Sequence, residues 1–465
     1  MVRRLTDDAL HDEAGAPEMT PAEPGRALPG PATAVETRGV RPGVRARLAS
    51  SVSALRERRG LQAVLHTFGA NVLILGINVC TGVLTARILL AEGRGELAAV
   101  ILWPQFLAYM LTLGVPGSLV YQIRRHPETE SASTGAALVV GVLMGLIATL
   151  VGVLGVPIWL HQYGPENVRL AQLLMALAPV GVVGLILLGA MQAREAFGYY
   201  NVFRYLPPIL TLLPLALLAI GGHLTVTTAA WTYMLAGLPA LAWGLWWIRK
   251  YLRPSLRGAR AVLAPLLHYG LRAWGTDLLG TVGSQLDSAL VVGLLGPAEM
   301  GLYVVAQSLA RLVSFVPNAV IPVLLPRAMD SSGRNALATV GKAASLTLAG
   351  TAVFAVPLFV AGGLLLRLIY GTEFASAEAV LRLLLIEAVL SGLAGVLSQA
   401  FLALGRPGTV SLLQGLAVAT VAPLLLLLVP LLGLVGAGAA LLAATGIRLL
   451  AVMLLFFRAR REYAM

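Results

Sequence analysis

The chain has 465 residues, of which 58% are hydrophobic and only 12% charged, and its formal net charge is +12. A charged fraction near half the ~25% of soluble domains excludes an ordinary soluble protein and predicts a polytopic membrane protein. The single cysteine, Cys80, excludes a disulfide framework and a cysteine-based metal site, and no cofactor is expected. The basic residues flank apolar segments, so the positive charge reports membrane topology and contact with anionic membrane lipids, with no nucleic-acid partner.

Residues 1 to about 40 are rich in Ala, Pro, Gly and Glu, lack periodicity and hold no continuous apolar core. They predict a disordered cytoplasmic tail without a signal peptide. From Arg41 to Arg59 the residues Val44, Leu48, Val52 and Leu55 recur at helical spacing against Arg45, Arg47, Arg56, Arg58 and Arg59. This pattern fits a basic helix on the anionic inner leaflet, or a solvated basic linker that fixes orientation.

Apolar runs follow near 63–88, 97–122, 136–160, 168–192, 203–221, 227–248, 268–294, 302–326, 343–367, 377–403, 410–430 and 434–457. Each is close to the ~20 residues that a helix needs to cross ~30 Å of hydrocarbon, so about twelve transmembrane helices are expected. With the amino terminus inside, Arg124, Arg125, Arg194, the run from Arg249 to Arg260, Arg327, Arg334, Lys342, Arg406 and the tail from Arg458 to Arg461 are all cytoplasmic. The opposite side keeps only Arg94, Arg169, Arg367 and Arg382, an asymmetry that places both termini in the cytoplasm.

The two halves echo each other. ILLAEGRGELA (88–98), leaving the first span, resembles GLLGPAEMGLY (293–303), leaving the seventh. In the next helix Gln105, Tyr109, Thr112 and Pro116 match Gln307, Arg311, Ser314 and Asn318 in spacing, and Arg169 and Arg194 flank span four as Arg382 and Arg406 flank span ten. An even number of spans between copies makes the repeat parallel, about an axis along the membrane normal. The expected fold is therefore all-α, with two six-helix lobes around a central cavity. The expected divisions are a tail with a basic helix (1–60), a first lobe (61–248), a basic linker (249–267), a second lobe (268–457) and a cytoplasmic tail (458–465).

Span seven carries Arg272, Thr276, Gly280, Gly283 and Asp287 on one face, while Leu278, Leu279, Val282 and Leu286 cover the other. Charges inside a span cost roughly 2.5–3.5 kcal/mol each at mid-membrane, so such residues face a wet cavity or each other. Span eight repeats the pattern with Gln307, Arg311, Ser314 and Asn318, and Arg204 enters span five near its inner end. Arginine keeps its charge and presents a planar fork that matches phosphate oxygens, which makes Arg272, Arg311, Arg204 and Gln307 candidates for an anionic substrate. The alternative pairs each arginine with Asp277, Asp287 or Glu387, and these acids are themselves candidates for coupling to H+ or Na+. In span one, Asn71, Asn78 and Thr85 lie on one face, as a cavity wall or as a helix-packing surface. No phosphate-binding loop, HExxH or metal-ligand cluster is present in the sequence, so a transporter is expected and no enzyme.

The segments LLAEGRGELAAV (89–100), LLGPAEMGLYVV (294–305), QLDSALVVGLLG (285–296), IYGTEFASA (369–377) and ALGRPGTV (403–410) make the chain resemble the polysaccharide-transporter branch of the multidrug/oligosaccharidyl-lipid/polysaccharide exporter superfamily. The resemblance covers roughly residues 60–460. It implies a cell-membrane flippase that moves a polyprenyl-diphosphate-linked oligosaccharide from the inner to the outer leaflet for polysaccharide biosynthesis. Members rock two lobes about a cavity, and the resemblance carries the lining role to Asn71, Asn78, Arg272, Asp277, Asp287 and Arg311. It also implies a monomer, with glycan-assembly proteins as candidate neighbours. The rival expectations are a cation-coupled multidrug exporter of the same superfamily, a lipid II flippase and a membrane glycan polymerase. Lipid II flippases of this group carry a thirteenth and fourteenth helix that this chain lacks. A polymerase needs an outer platform larger than the loops of about ten residues expected here.

Overall fold

The computed structural model describes the backbone of residues 42–330 and 333–463, and the side chains of those residues from Gly69 onward except 273 and 276–284. Residues 1–58 and 59–465 form separate units, and the second carries the membrane-spanning fold. The expected disordered tail, 1–41, lies outside the described residues. The expected basic helix at 41–59 falls on backbone that is helical from Pro42, with its side chains outside the described set.

Every described element is helical. The helices are α1 (Pro42–Met110), α2 (Val115–Arg125), α3 (Glu130–Trp159), α4 (Pro165–Leu174), α5 (Ala178–Ala193), α6 (Phe197–Ile220) and α7 (Val226–Leu235). They continue as α8 (Gly237–Tyr251), α9 (Ala259–Leu294), α10 (Pro297–Val313), α11 (Phe315–Met329), α12 (Gly333–Leu365), α13 (Glu378–Ala403) and α14 (Pro407–Glu462). A π turn at Leu366–Tyr370 and a 3-10 segment at Thr372–Ala377 join α12 to α13. Hydrocarbon offers no partner for backbone N–H and C=O groups, so a chain this apolar satisfies them within helices.

Among the described residues, seven helical stretches are long and apolar enough to cross a bilayer, or eight when α10 and α11, bent by 42°, count together. Two of the seven are too long for one crossing. At 1.5 Å per residue a straight helix of the length of α14 would run about 84 Å, more than twice the ~30 Å hydrocarbon core. It breaks at Gly433 (φ 56°, ψ −133°), between the expected runs 410–430 and 434–457. α1 breaks at Leu90 (φ 59°, ψ −170°), between the runs 63–88 and 97–122. The twelve expected runs fall largely on helical backbone, with turns at 111–114, 236 and 314 inside three of them.

Packing follows the two halves of the sequence. α5 packs against α2, α3 and α8, while α13 packs against α10, α11, α12 and α14. The helix α9 between them touches α2, α3 and α14. The buried apolar residues form three clusters. One, containing Leu119, Ile186 and Trp247, joins the first half to the start of α9 through Leu266, and another, containing Val340, Phe401 and Val452, lies within the second half. The third joins the halves, bringing Leu97, Leu160 and Met175 together with Tyr303, Phe374 and Leu384. Its members flank the turns near 88–97, 160–165, 221–225, 294–297 and 366–377, so the halves are fused at that end.

Polar contacts reinforce the fused end. Arg87 Nε donates to the Ile369 carbonyl at 2.7 Å, and the same guanidinium also donates to the Leu368 carbonyl. The Ala91 N–H donates to Glu373 Oε2 at 3.2 Å, and Gln162 Nε2 donates to the Gly293 carbonyl at 3.1 Å.

Local geometry repeats as well. At the turn from α5 to α6, Glu195 is left-handed (φ 55°) and Ala196 N–H closes back on the Met191 carbonyl at 2.9 Å. At the turn from α13 to α14, Gly405 is left-handed (φ 69°) and Arg406 N–H closes on the Phe401 carbonyl at 2.7 Å. Both are the helix-ending motif in which a left-handed residue lets the following amide satisfy an orphan carbonyl.

Candidate functional site

Each half of the chain holds a cavity. In the second half, α9 supplies Asp287, α10 supplies Gln307 and Arg311, α13 supplies Glu387 and Ser391, and α14 supplies Thr445 and Arg448 around a cavity of about 210 Å3. Helical spacing explains the convergence. Gln307, Arg311 and Ser314 share one face of the α10–α11 bend, Glu387 and Ser391 are one turn apart, and so are Leu441, Thr445 and Arg448.

The polar groups are arranged in two nodes. Gln307 Nε2 donates to Asp287 Oδ2 at 2.9 Å, and the Tyr303 hydroxyl donates to the same oxygen at 3.2 Å. Thr445 Oγ1 donates to Glu387 Oε1 at 2.9 Å. Asp287 Oδ1 and Arg448 Nε are buried without a hydrogen-bond partner. Arg311 is exposed where it borders the cavity, within electrostatic reach of Asp287 and Glu387. Among the described residues neither Arg311 nor Arg448 is in an ion pair at 4.0 Å or less. Two acids and two guanidiniums therefore share one membrane-buried chamber, close enough to feel each other but not collapsed into salt bridges.

The first-half chamber, about 410 Å3, is lined from α1, α5, α6, α7 and α8, with Tyr109, Gly184, Phe203, Arg204 and Tyr233 among its walls. Its chemistry differs sharply from that of the second half. Among the described residues Arg204 is the one charged side chain lining it, and most of the remainder is apolar.

The structure brings Asp287, Gln307, Arg311 and Glu387 to one cavity and puts Arg204 in the other. Arg272 is exposed on α9 and borders neither chamber. Asn71 and Asn78 are exposed on α1. Their neighbours Thr81 and Thr85 are buried and donate to carbonyls of their own helix, Ile77 at 3.1 Å and Thr81 at 2.7 Å. Asp277 is one of the residues whose side chains lie outside the described set. Sequence reasoning missed Arg448 and Thr445. The signal was a polar pair spaced by three residues in the last apolar run, which reads as a snorkelling arginine unless the partner helix is known.

A family model described as polysaccharide biosynthesis protein matches residues 61–332, more than half of the chain. The chain belongs to the polysaccharide biosynthesis protein family. Its curated relatives include the probable low-salt glycan biosynthesis flippase Agl15 of Haloferax volcanii, 26% identical over 47% of this chain and 48% of that protein. The succinoglycan biosynthesis transport protein ExoT of Rhizobium meliloti is 25% identical over 54% of this chain and 50% of that protein. The chain spans about half the length of the curated relatives it matches.

Among solved structures, the inward-facing conformation of a multidrug resistance MATE family transporter of the MOP superfamily superposes with a TM-score of 0.69, 15% identity and coverage of 84% of this chain and 96% of that one. The lipid II flippase MurJ in an inward closed conformation gives 0.69 at 13% identity, covering 86% and 90%. An outward-facing MATE family transporter gives 0.57 at 14% identity, covering 87% and 95%. At these identities the likeness concerns the fold alone, an all-α one with several helices long and apolar enough to cross a membrane.

Proposed function

We propose that this protein is a flippase that carries a polyprenyl-diphosphate-linked oligosaccharide across the cell membrane by alternating access. The observation that carries the reading is Arg311, an exposed guanidinium inside a membrane-spanning helix pair and in no ion pair among the described residues. A permanent cation at that depth is stable only beside water or an anion, and its planar fork suits the oxygens of a diphosphate. Arg272, exposed on α9, is the second cationic candidate. Asn71 and Asn78, exposed on α1, offer neutral amides to hydroxyl-rich sugars. A diphosphate needs a hydrated cationic route, while the prenyl chain can stay in lipid, so translocation breaks no bond.

The fused end of the two halves supports a state that is closed at that end. The arginine distribution assigns its turns to the outer side and both termini to the cytoplasm. In this reading the substrate head enters between the halves from the inner leaflet and leaves when the outer contacts open. Asp287 and Glu387, facing each other through the second-half chamber, are the candidates for binding H+ or Na+ during the return, with Asp277 a further acid on α9. The names of the relatives, a glycan biosynthesis flippase and a succinoglycan transport protein, favour a glycan over a drug.

The test is the fate of lipid-linked glycan in cells that carry Arg272→Ala with Arg311→Ala. The expected outcome is accumulation on the inner leaflet and a fall in surface glycan of tenfold or more, with normal amounts of inserted protein. Unchanged export by the double variant overturns the diphosphate reading. Drug hypersensitivity with normal glycans points to a multidrug exporter.

A further inference from the structure

We infer that the first-half chamber is a binding site for an anionic amphiphile, a lipid with a single phosphate head and an apolar tail, separate from the glycan route. The second-half chamber balances two arginines with two acids, whereas among the described residues the first-half chamber lines its walls with Arg204 and no carboxylate. Arg204 is two turns into α6, partly buried, and its recorded partner is the ring of Tyr200, 5.6 Å from the guanidinium carbon. A cation–π contact offsets only part of the cost of holding an arginine in an apolar wall. A bound anion would offset the rest.

The remainder of the chamber suits a tail. Phe203, Leu185, Leu188, Met234 and Leu241 give it an apolar lining, and Trp243 lies behind Phe203 with ring centroids 6.5 Å apart. Tyr109 and Gln105, both exposed, stand at its border and offer hydroxyl and amide groups beside the head. Arg204 lies in the half of α6 that the arginine distribution places toward the cytoplasm, where its long side chain can reach toward the inner leaflet. At about 410 Å3 the space holds one small head and a length of chain.

The probe is dodecyl phosphate added to the full-length protein in phosphatidylcholine nanodiscs, with binding read by native mass spectrometry and by the shift in melting midpoint. Dodecyl phosphate is expected to bind and raise the midpoint, whereas dodecanol, inorganic phosphate and dodecyltrimethylammonium leave it unchanged. Arg204→Gln should weaken binding at least tenfold, Arg204→Lys should retain part of it, and the exposed-tail variant Arg458→Gln should bind as the parent does. Gly184→Leu, whose side chain grows toward Phe203, should block binding with Arg204 intact, since a Cβ there already lies 3.8 Å from that ring. Parent-like binding by folded Arg204→Gln or Gly184→Leu overturns the inference. So does equal binding of dodecanol, which indicates a purely apolar pocket, or of inorganic phosphate, which indicates an anion site with no tail. Glycan export is scored separately through Arg311, so either reading can fail without the other.

Discussion

At the scale of single residues, two backbone positions carry opposite chemistry. Leu90 holds φ 59° with ψ −170°, a region open almost only to glycine, and its side chain is 51% exposed. Leu90→Gly should therefore raise stability by about 1 kcal/mol, read as a rise in melting midpoint in detergent. Gly433 occupies φ 56° with ψ −133° in the same capacity for α14, and Gly433→Ala should lower the midpoint by a comparable amount, about 1–2 kcal/mol. The glycine is readable in sequence as a break between two apolar runs. The leucine is not, because nothing in an LL pair announces a positive φ.

Among the helices, the crossing that fuses the halves depends on two glycines. A Cβ at Gly95 would lie 1.8 Å from the Pro297 carbonyl oxygen, and one at Gly301 would lie 1.8 Å from the Ala91 carbonyl oxygen. Ala91 with Gly95, and Pro297 with Gly301, are thus equivalent i, i+4 pairs that meet backbone to backbone. Backbone has no rotamer to yield, so a side chain must push the helices apart. Gly95→Val or Gly301→Val should open the outer end, raise labelling of outer-end cysteines by membrane-impermeant reagents several-fold, and reduce export. Gly198→Ala, with open space around it, should do neither. The echo between residues 88–98 and 293–303 was legible in sequence, but its role as a point of contact was not, because similarity between two segments says nothing about their distance.

Across the whole molecule, the three-cluster core predicts how stability is shared. Leu97 belongs to the cluster that joins the halves, whereas Leu187 belongs to the cluster of the first half and the start of α9. Both are fully buried, so each Leu→Ala change should cost about 2–5 kcal/mol. Hydrogen exchange should separate them. Leu97→Ala is expected to accelerate exchange at the outer ends of both halves, and Leu187→Ala only within the first half and the start of α9. Acceleration by Leu187→Ala at the outer ends of both halves would contradict this division of the core.

Composition and the spacing of apolar runs determined that this chain is all-α and crosses the membrane many times, because hydrocarbon leaves the backbone few other solutions. The stripes Gln307–Arg311–Ser314 and Arg272–Asp287 marked polar faces for the same reason, since a charge in lipid must have a cause. Only the tertiary structure decided which faces meet. It set Glu387 of α13 and Arg448 of α14 around the cavity that Asp287 of α9 and Arg311 of α10 also line, and it left Arg272 and Arg204 elsewhere. Periodicity fixes the face a residue occupies on its own helix, but the partner of that face depends on how the helices are arranged around one another.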